Sequence, residues 1–147
     1  MELGVTRITP LLSEFTDSKF PPERYQKKQR HWQQIAIHAC EQCGRARIPV
    51  VNALTAIEQW LPTVVAEHKY VLHPYDSQPF TAAANKPTSV ALLVGPEGGL
   101  SNREVQLARV HHFIALSLGP RILRAETAPL AMLALLQASY GDFVECK

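Results

Sequence analysis

Two short stretches concentrate the residues able to do chemistry. Gly95-Pro96-Glu97-Gly98-Gly99-Leu100-Ser101 sets glycines and a proline around one carboxylate, directly behind the apolar run Val90-Ala91-Leu92-Leu93-Val94. Glycine adopts backbone shapes and tolerates close approaches that other residues resist, so such a loop predicts a ligand lying against the main chain. Free N–H groups ahead of a helix could hold an anion. The spacing nevertheless fits neither the GxxxxGK(S/T) nor the GxGxxG nucleotide pattern, and a tight turn without a ligand is the competing reading. The second stretch, Leu118-Gly119-Pro120-Arg121-Ile122-Leu123-Arg124-Ala125-Glu126-Thr127-Ala128, carries two arginines and a glutamate between a glycine turn and a helix start. A guanidinium is a planar fork suited to phosphate or a polarised carbonyl; solvated loop charge is the alternative.

These stretches need strands and helices to hold them. Val90 to Val94 reads as a central strand buried on both faces. Ser101 with Glu104 forms a capping box for a helix over Asn102 to Val110. Phe113 to Leu118 is the last strand, ended by Gly119-Pro120, and a final helix follows with Thr127 as N-cap and Pro129 in its first turn. That helix is apolar nearly all round from Leu130 to Ala138, which predicts burial on more than one side and hence a partner subunit. Upstream, Tyr70-Val71-Leu72 is a strand broken by His73-Pro74, Ile48 to Val51 a short strand, and Thr55 the cap of a brief helix running to Leu61 before Pro62. Ile8 to Leu12, interrupted by Pro10, suits a sheet edge. Ser13 to Pro22 is polar. A helix then starts near Glu23, its stripe Trp32, Ile35, Ala36, Ala39, Cys40 and Cys43 facing the core and Gly44 ending it. Strands alternating with helices predict an α/β fold with a mainly parallel sheet. Ligands in such sheets lie beyond the strands' carboxyl ends, so the loops His73-Pro74-Tyr75, Gly95 to Leu100 and Gly119 to Thr127 should meet at one pocket.

Composition narrows the class. With 147 residues, 46% hydrophobic and 19% charged, the chain reads as one globular domain over residues 1–147. Its longest apolar stretch, within Ala128 to Leu136, falls short of the roughly 20 residues a membrane helix needs. Its first residues lack the basic and apolar regions of a secretory signal, so a cytoplasmic protein without membrane contact is expected. A net charge of +2 does not by itself declare a nucleic-acid partner, but Arg24, Lys27, Lys28 and Arg30 crowd together. Three cysteines cannot all pair, and Cys40-x-x-Cys43 has no second pair to complete a zinc site, so reduced thiols and no metal are expected. His111-His112 is given a structural role.

The segments HWQQIAIHACEQCGR, LLVGPEGGLSNREV and LSLGPRILRAETAPLAMLALLQ, in this order and spread over the chain, closely resemble the RsmE-type ribosomal RNA uridine N3-methyltransferases of the SPOUT class. The resemblance implies a mainly parallel sheet with helices on both faces, a deep trefoil knot near the carboxyl terminus, S-adenosylmethionine bound bent in the knotted loops, and a homodimer whose interface helps build the site. Sequence physics alone argues against a knot, since knots are rare. Two departures stand out. The family's amino-terminal RNA-gripping barrel of the PUA type, and a strand and most of a helix before the segment resembling Glu2-Leu3-Gly4-Val5, have no counterpart here, so the chain reads as a catalytic domain without them. His38 stands in place of a glutamate or small residue, a change expected to be local.

By this resemblance Leu72, His73 and Pro74 border the cofactor, Gly95, Pro96, Glu97, Gly98 and Gly99 wrap it, and Leu118, Gly119, Ile122 and Leu123 enclose the adenine. Methylating uracil N3 demands in-line placement and removal of the N3 proton. Arg124 is the candidate for orienting the base or stabilising negative charge on a uracil oxygen, and Glu97 and Glu126 for accepting the proton or holding the sulfonium. Arg24, Lys27, Lys28, Arg30 and Arg121, with Arg45 and Arg47, are candidates for RNA phosphates, a solvated helix face being the alternative for the cluster. The leading function is methyl transfer to small-subunit ribosomal RNA, naked or assembled. The other class is a dimeric module that binds cofactor or RNA without turnover, which the missing amino-terminal part would favour.

Overall fold

Every strand pair among the described residues is parallel, and this is what brings loops far apart in sequence to one end of a sheet. The computed structural model describes residues 1–16 and 21–143, so residues 17–20 of the polar Ser13 to Pro22 segment, and Cys146, lie outside the described residues. The chain divides into two compact units. One comprises Met1–Leu12 with the described part of Asp17–Ala56, and the other Ser13–Thr16 with the chain from Ile57 onward.

In the first unit, β1 (Arg7–Ile8) pairs with β3 (Val50–Val51), and β2 (Leu11–Leu12) with β4 (Thr55–Ala56). Pro10, which has no N–H to donate, falls in the gap that splits the expected Ile8 to Leu12 segment in two. Helix α1 (Pro22–Cys43) opens on a proline and stops at Gly44, whose left-handed φ of 72° lets its N–H donate to the Cys40 carbonyl. Its inner stripe differs from expectation. Ala36 and Cys40 are buried, but Ile35 is 50% exposed. The face is turned toward Gln29 and Gln33. The Gln33 amide donates to the Pro49 carbonyl at 3.0 Å and accepts from the Val51 N–H at 2.9 Å, while Gln29 donates to the Val51 carbonyl at 2.9 Å. Two glutamines thus satisfy main-chain groups along β3 that would otherwise lack partners. Hydrophobic periodicity cannot register this, because it counts glutamine as solvent-facing. Thr55 is not a helix cap either; pairing with Leu11 places it in β4, and its hydroxyl donates to the Ala53 carbonyl at 3.2 Å.

The second unit opens on a short helix, α2 (Ile57–Trp60), and a single 3₁₀ turn at Leu61–Thr63. Its sheet has the strands β5 (His68–Leu72), β6 (Gln78–Pro79), β7 (Val90–Leu93) and β8 (Ile114–Ser117) in the order β6-β8-β5-β7. The strand expected at the centre, β7, is therefore at an edge; β5 pairs with both β7 and β8 and takes the interior place. Only Leu93 of β7 is fully buried.

Helix α3 (Asn102–Val110) has the expected span and capping box: Glu104 N–H donates to the Ser101 hydroxyl, and Ser101 N–H to the Glu104 carboxylate. Helix α4 (Thr127–Tyr140) buries Met132 against Tyr70 and Leu116, with Leu72, Leu118 and Leu136 around them. Leu130 and Leu135 stay exposed, so the chain by itself covers only part of this apolar helix. Thr127 is not its N-cap. Glu126 holds that place in a helical conformation without a side-chain bond, because the turn is already wound at Arg124, whose carbonyl accepts the N–H groups of Thr127 and Ala128, each at 3.0 Å.

Candidate functional site

Register decides where the chemistry-bearing loops emerge. Val71 lies opposite Leu93 on one side and Ala115 on the other, so Leu72, Val94 and Leu116 stand at one level near the carboxyl ends of their strands. His73 N–H extends the ladder by one bond, to the Leu116 carbonyl at 3.0 Å. Beyond this level the three loops wall a cavity of about 560 Å³. The first contributes Leu72, His73 and Pro74, the second Val94, Gly95, Pro96, Glu97, Gly99 and Leu100, and the third Ser117, Leu118, Gly119, Arg121, Ile122, Leu123, Arg124, Ala125, Glu126 and Ala128.

Of the residues expected to hold the cofactor, Gly98 alone is absent from the wall; Tyr75, Pro120 and Thr127 of the converging loops are absent as well. Gly98 turns instead toward Phe15, whose Cβ would stand 3.1 Å from a Cβ placed on Gly98. The glycine requirement in this loop lies elsewhere. A Cβ on Gly95 would come within 2.9 Å of the Gly99 carbonyl carbon and the Leu100 nitrogen, and Gly99 itself holds φ at 77°. The loop folds so closely on itself that the first position has no room and the second has the wrong handedness for a side chain. A 2.8 Å bond from Gly99 N–H to the Pro96 carbonyl closes the turn.

The cavity's charges come from two walls. Glu97 stands on the glycine loop; Arg121, Arg124 and Glu126 stand on the loop ahead of α4, all four with exposed side chains. Such a set can hold a cationic centre against carboxylates and an anionic or carbonyl oxygen against guanidinium. His73 adds a weak base biased toward its neutral form. Burial lowers its pKa first and Arg109 second, with Asp76 opposing. Its ring meets Tyr75 edge-on at 5.8 Å, and the loop that carries both is tied to α3 by Arg109, which bridges to the Asp76 carboxylate at 2.6 Å and also donates to the Asp76 carbonyl.

Residues expected to meet RNA divide. Arg121 lines the cavity, whereas Arg24, Lys27, Lys28 and Arg30 lie on α1 in the other unit, Lys28 half-buried and the rest exposed. Arg45 is engaged otherwise, one guanidinium nitrogen donating to the carbonyls of Met1 and Val5 at 2.8 Å each; it closes the amino-terminal turn. His38 is exposed. Cys40 and Cys43 are free thiols. Among the described residues no helix is long and apolar enough to cross a membrane. Sequence reasoning missed the wall residues Val94, Ser117 and Ala128, which differ in no chemical way from ordinary packing residues. It also missed Phe15, Asp76 and Arg109, whose roles arise only through contacts distant in sequence.

A family model described as an RNA methyltransferase domain matches residues 1–137. Among curated proteins, ribosomal RNA small subunit methyltransferase E of Buchnera aphidicola subsp. Schizaphis graminum is 40% identical over 143 residues, covering 97% of this chain and 58% of its own length. Two solved structures align over nearly the whole chain. A putative methyltransferase of Legionella pneumophila, in complex with the bound cofactor SAM, gives a TM-score of 0.89 at 43% identity, covering 95% of this chain and 57% of that one. Ribosomal RNA small subunit methyltransferase E from Neisseria gonorrhoeae, bound to S-adenosyl methionine, gives 0.88 at 38% identity, covering 97% and 59%. The chain thus spans between 57% and 59% of the length of these relatives.

Proposed function

The chain belongs to the RNA methyltransferase family, and from that premise we propose that it transfers a methyl group from S-adenosylmethionine to N3 of a uridine in small-subunit (16S) ribosomal RNA. The observation that carries this reading is the meeting of Leu72 to Pro74, the glycine loop, and the Gly119 to Glu126 loop around one cavity.

The donor set suits the cofactor. Leu72, Leu118, Ile122 and Leu123 offer an apolar wall for adenine, the glycine loop exposes main chain, and the carboxylates of Glu97 and Glu126 favour a sulfonium and an ammonium group. His73, biased toward its neutral form, does not add a repelling charge. When bound, the cofactor supplies an electrophilic methyl group on positively charged sulfur.

The remaining tasks fall to the chain. Neutral uracil has no in-plane lone pair at N3, so its proton must pass to a base; Glu97 and Glu126 are the two carboxylates in reach of the cavity, and a placed base contributes about 10²–10⁴-fold. Arg124 donates to a uracil oxygen and stabilises the charge that grows there as the proton leaves. Arg121 takes an RNA phosphate beside the cavity, and Arg24, Lys27, Lys28 and Arg30 take others. The apolar surface that α4 leaves exposed, including Leu130 and Leu135, packs against a second copy in a homodimer, and the carboxyl-terminal loops pass through one another as a trefoil knot. The reading implies a cytoplasmic protein acting on ribosomal RNA or on the assembled small subunit.

Labelled S-adenosylmethionine incubated with the chain and undermethylated small subunits tests the whole: label should appear at uridine N3. Cofactor uptake without label in RNA would replace the enzyme by a binding module. A solution mass equal to one chain at micromolar concentration would remove the dimer.

A further inference from the structure

Glu104 is the one buried charged side chain among the described residues, 3% exposed, and helix capping explains only half of what it does. A capping box occupies one carboxylate oxygen, and here Oε2 accepts the Ser101 N–H at 2.9 Å. The other oxygen, Oε1, accepts the N–H of Glu14, also at 2.9 Å, from a segment ninety positions away in sequence. Both acceptors of a buried carboxylate are thereby used on main-chain donors, one on each of two separate segments.

The Glu14 segment is itself a closed turn. Ser13 N–H donates to the Thr16 hydroxyl at 3.0 Å, the two hydroxyls lie 2.8 Å apart, and Thr16 N–H returns to the Ser13 carbonyl at 3.1 Å. The turn presents Phe15 to Gly98 so closely that a Cβ there would stand 3.1 Å from the Phe15 Cβ. Phe15 stays 48% exposed, so it is not there to fill a core. What it touches is the one residue of the glycine loop that faces away from the cavity wall, flanked by Glu97 and Gly99, which belong to it.

We propose that Glu104 and Phe15 are positioning residues for the cofactor loop: the carboxylate pins the Ser13–Thr16 turn to the start of α3, and the turn braces Gly98 so that Glu97 and Gly99 are held at the cavity. The proposal rests on the reading of that cavity as the S-adenosylmethionine site. Neither residue touches cofactor or substrate, so their loss acts on how well the loop is preformed, and this falls on cofactor affinity more than on the rate of the loaded protein.

The test measures S-adenosylmethionine affinity by calorimetry, and KM and kcat for methyl transfer, on the chain and three variants. Glu104→Gln keeps the side chain's size but presents an NH₂ to one of the two N–H groups. It should weaken cofactor affinity and raise KM about tenfold, with kcat at saturating cofactor changed less than about threefold. Phe15→Ala leaves the capping box intact and should raise the same KM about threefold or more without moving the melting temperature, and Phe15→Leu should restore it. Should Glu104→Gln not fold, the Phe15 pair decides alone. Wild-type affinity in Phe15→Ala, or a fall in kcat with KM unmoved, overturns the proposal. Failure of the unmodified chain to take up S-adenosylmethionine overturns the cavity reading beneath it.

Discussion

The two walls of the cavity are built on opposite plans. The glycine loop between β7 and α3 is held by its own backbone: a turn closed from Gly99 to Pro96, a Gly95 with no space for a side chain, and a helix start with both halves of its capping box made. The loop between β8 and α4 is closed only near its end, by the Thr127 and Ala128 N–H groups on the Arg124 carbonyl. Its helix begins without a side-chain cap, and the cavity residues Arg121, Ile122, Arg124 and Glu126 are all exposed. The main chain of the first wall is a frame whose shape is its contribution, while the second presents the guanidinium groups of Arg121 and Arg124. Changes to the glycines of the first should therefore act on binding and stability, and loss of Arg124 on the second should act on turnover.

The largest effect is expected where the frame has no slack. Gly95→Ala sets a Cβ 2.9 Å from main-chain atoms of Gly99 and Leu100, which cannot yield as a side-chain tip would. Calorimetry should find S-adenosylmethionine affinity down by about a hundredfold or more, since displacements near 1 Å cost that much in positioned sites. Arg124→Ala, on the other wall, should lower kcat by about 10²–10³-fold with cofactor affinity little changed, the loss typical of a donor to a developing oxyanion. Equal effects on affinity and turnover in both variants would erase the distinction between the walls.

The same contrast explains what the sequence could disclose. The frame was legible because its determinants are local: Ser101 and Glu104 lie three apart, and the span Asn102–Val110 and the strand before it follow from neighbours. The pocket's three loops were legible because parallel strands put their carboxyl ends together. What escaped was set by partners remote in sequence. β7 became an edge because β5 found β8 as its second neighbour. Ile35 lost its place at the α1 interface to Gln29 and Gln33, which bond β3 main chain. Gly98 was assigned to the cavity because nothing near it announces Phe15. The α4 start was misread in a different way: Thr127 is a good capping residue, but the chain had begun to coil three residues earlier.

A smaller effect separates the walls by stability alone. Ser101→Ala removes an acceptor used by the Glu104 N–H and should cost about 1 kcal/mol, the usual worth of an N-cap. Glu126→Ala occupies the equivalent place on α4, where no side-chain cap bond exists, and should leave the denaturation midpoint unchanged. A midpoint that falls equally in both variants would mean that the second wall is framed after all.

The smallest effect lies where the first loop joins the other two. His73 has its pKa lowered from 6.5, chiefly by burial and next by Arg109, against the opposing pull of Asp76. A histidine depressed in the folded state binds fewer protons there than in the unfolded chain, so acid favours unfolding. Its contribution to stability is intact above 6.5 and is lost as pH falls through the lower folded value. Denaturation midpoints taken on either side of that point should drop on acidification, and His73→Gln should flatten the part of the slope that this residue supplies. Arg109→Gln should flatten it in part, since it removes the second cause and leaves the first. Asp76→Asn should steepen it by removing the one group that favours the charged ring, although it also breaks the bridge to Arg109. Opposite signs for the two partners of one salt bridge distinguish electrostatics at His73 from simple loosening of its loop, which would move both variants the same way.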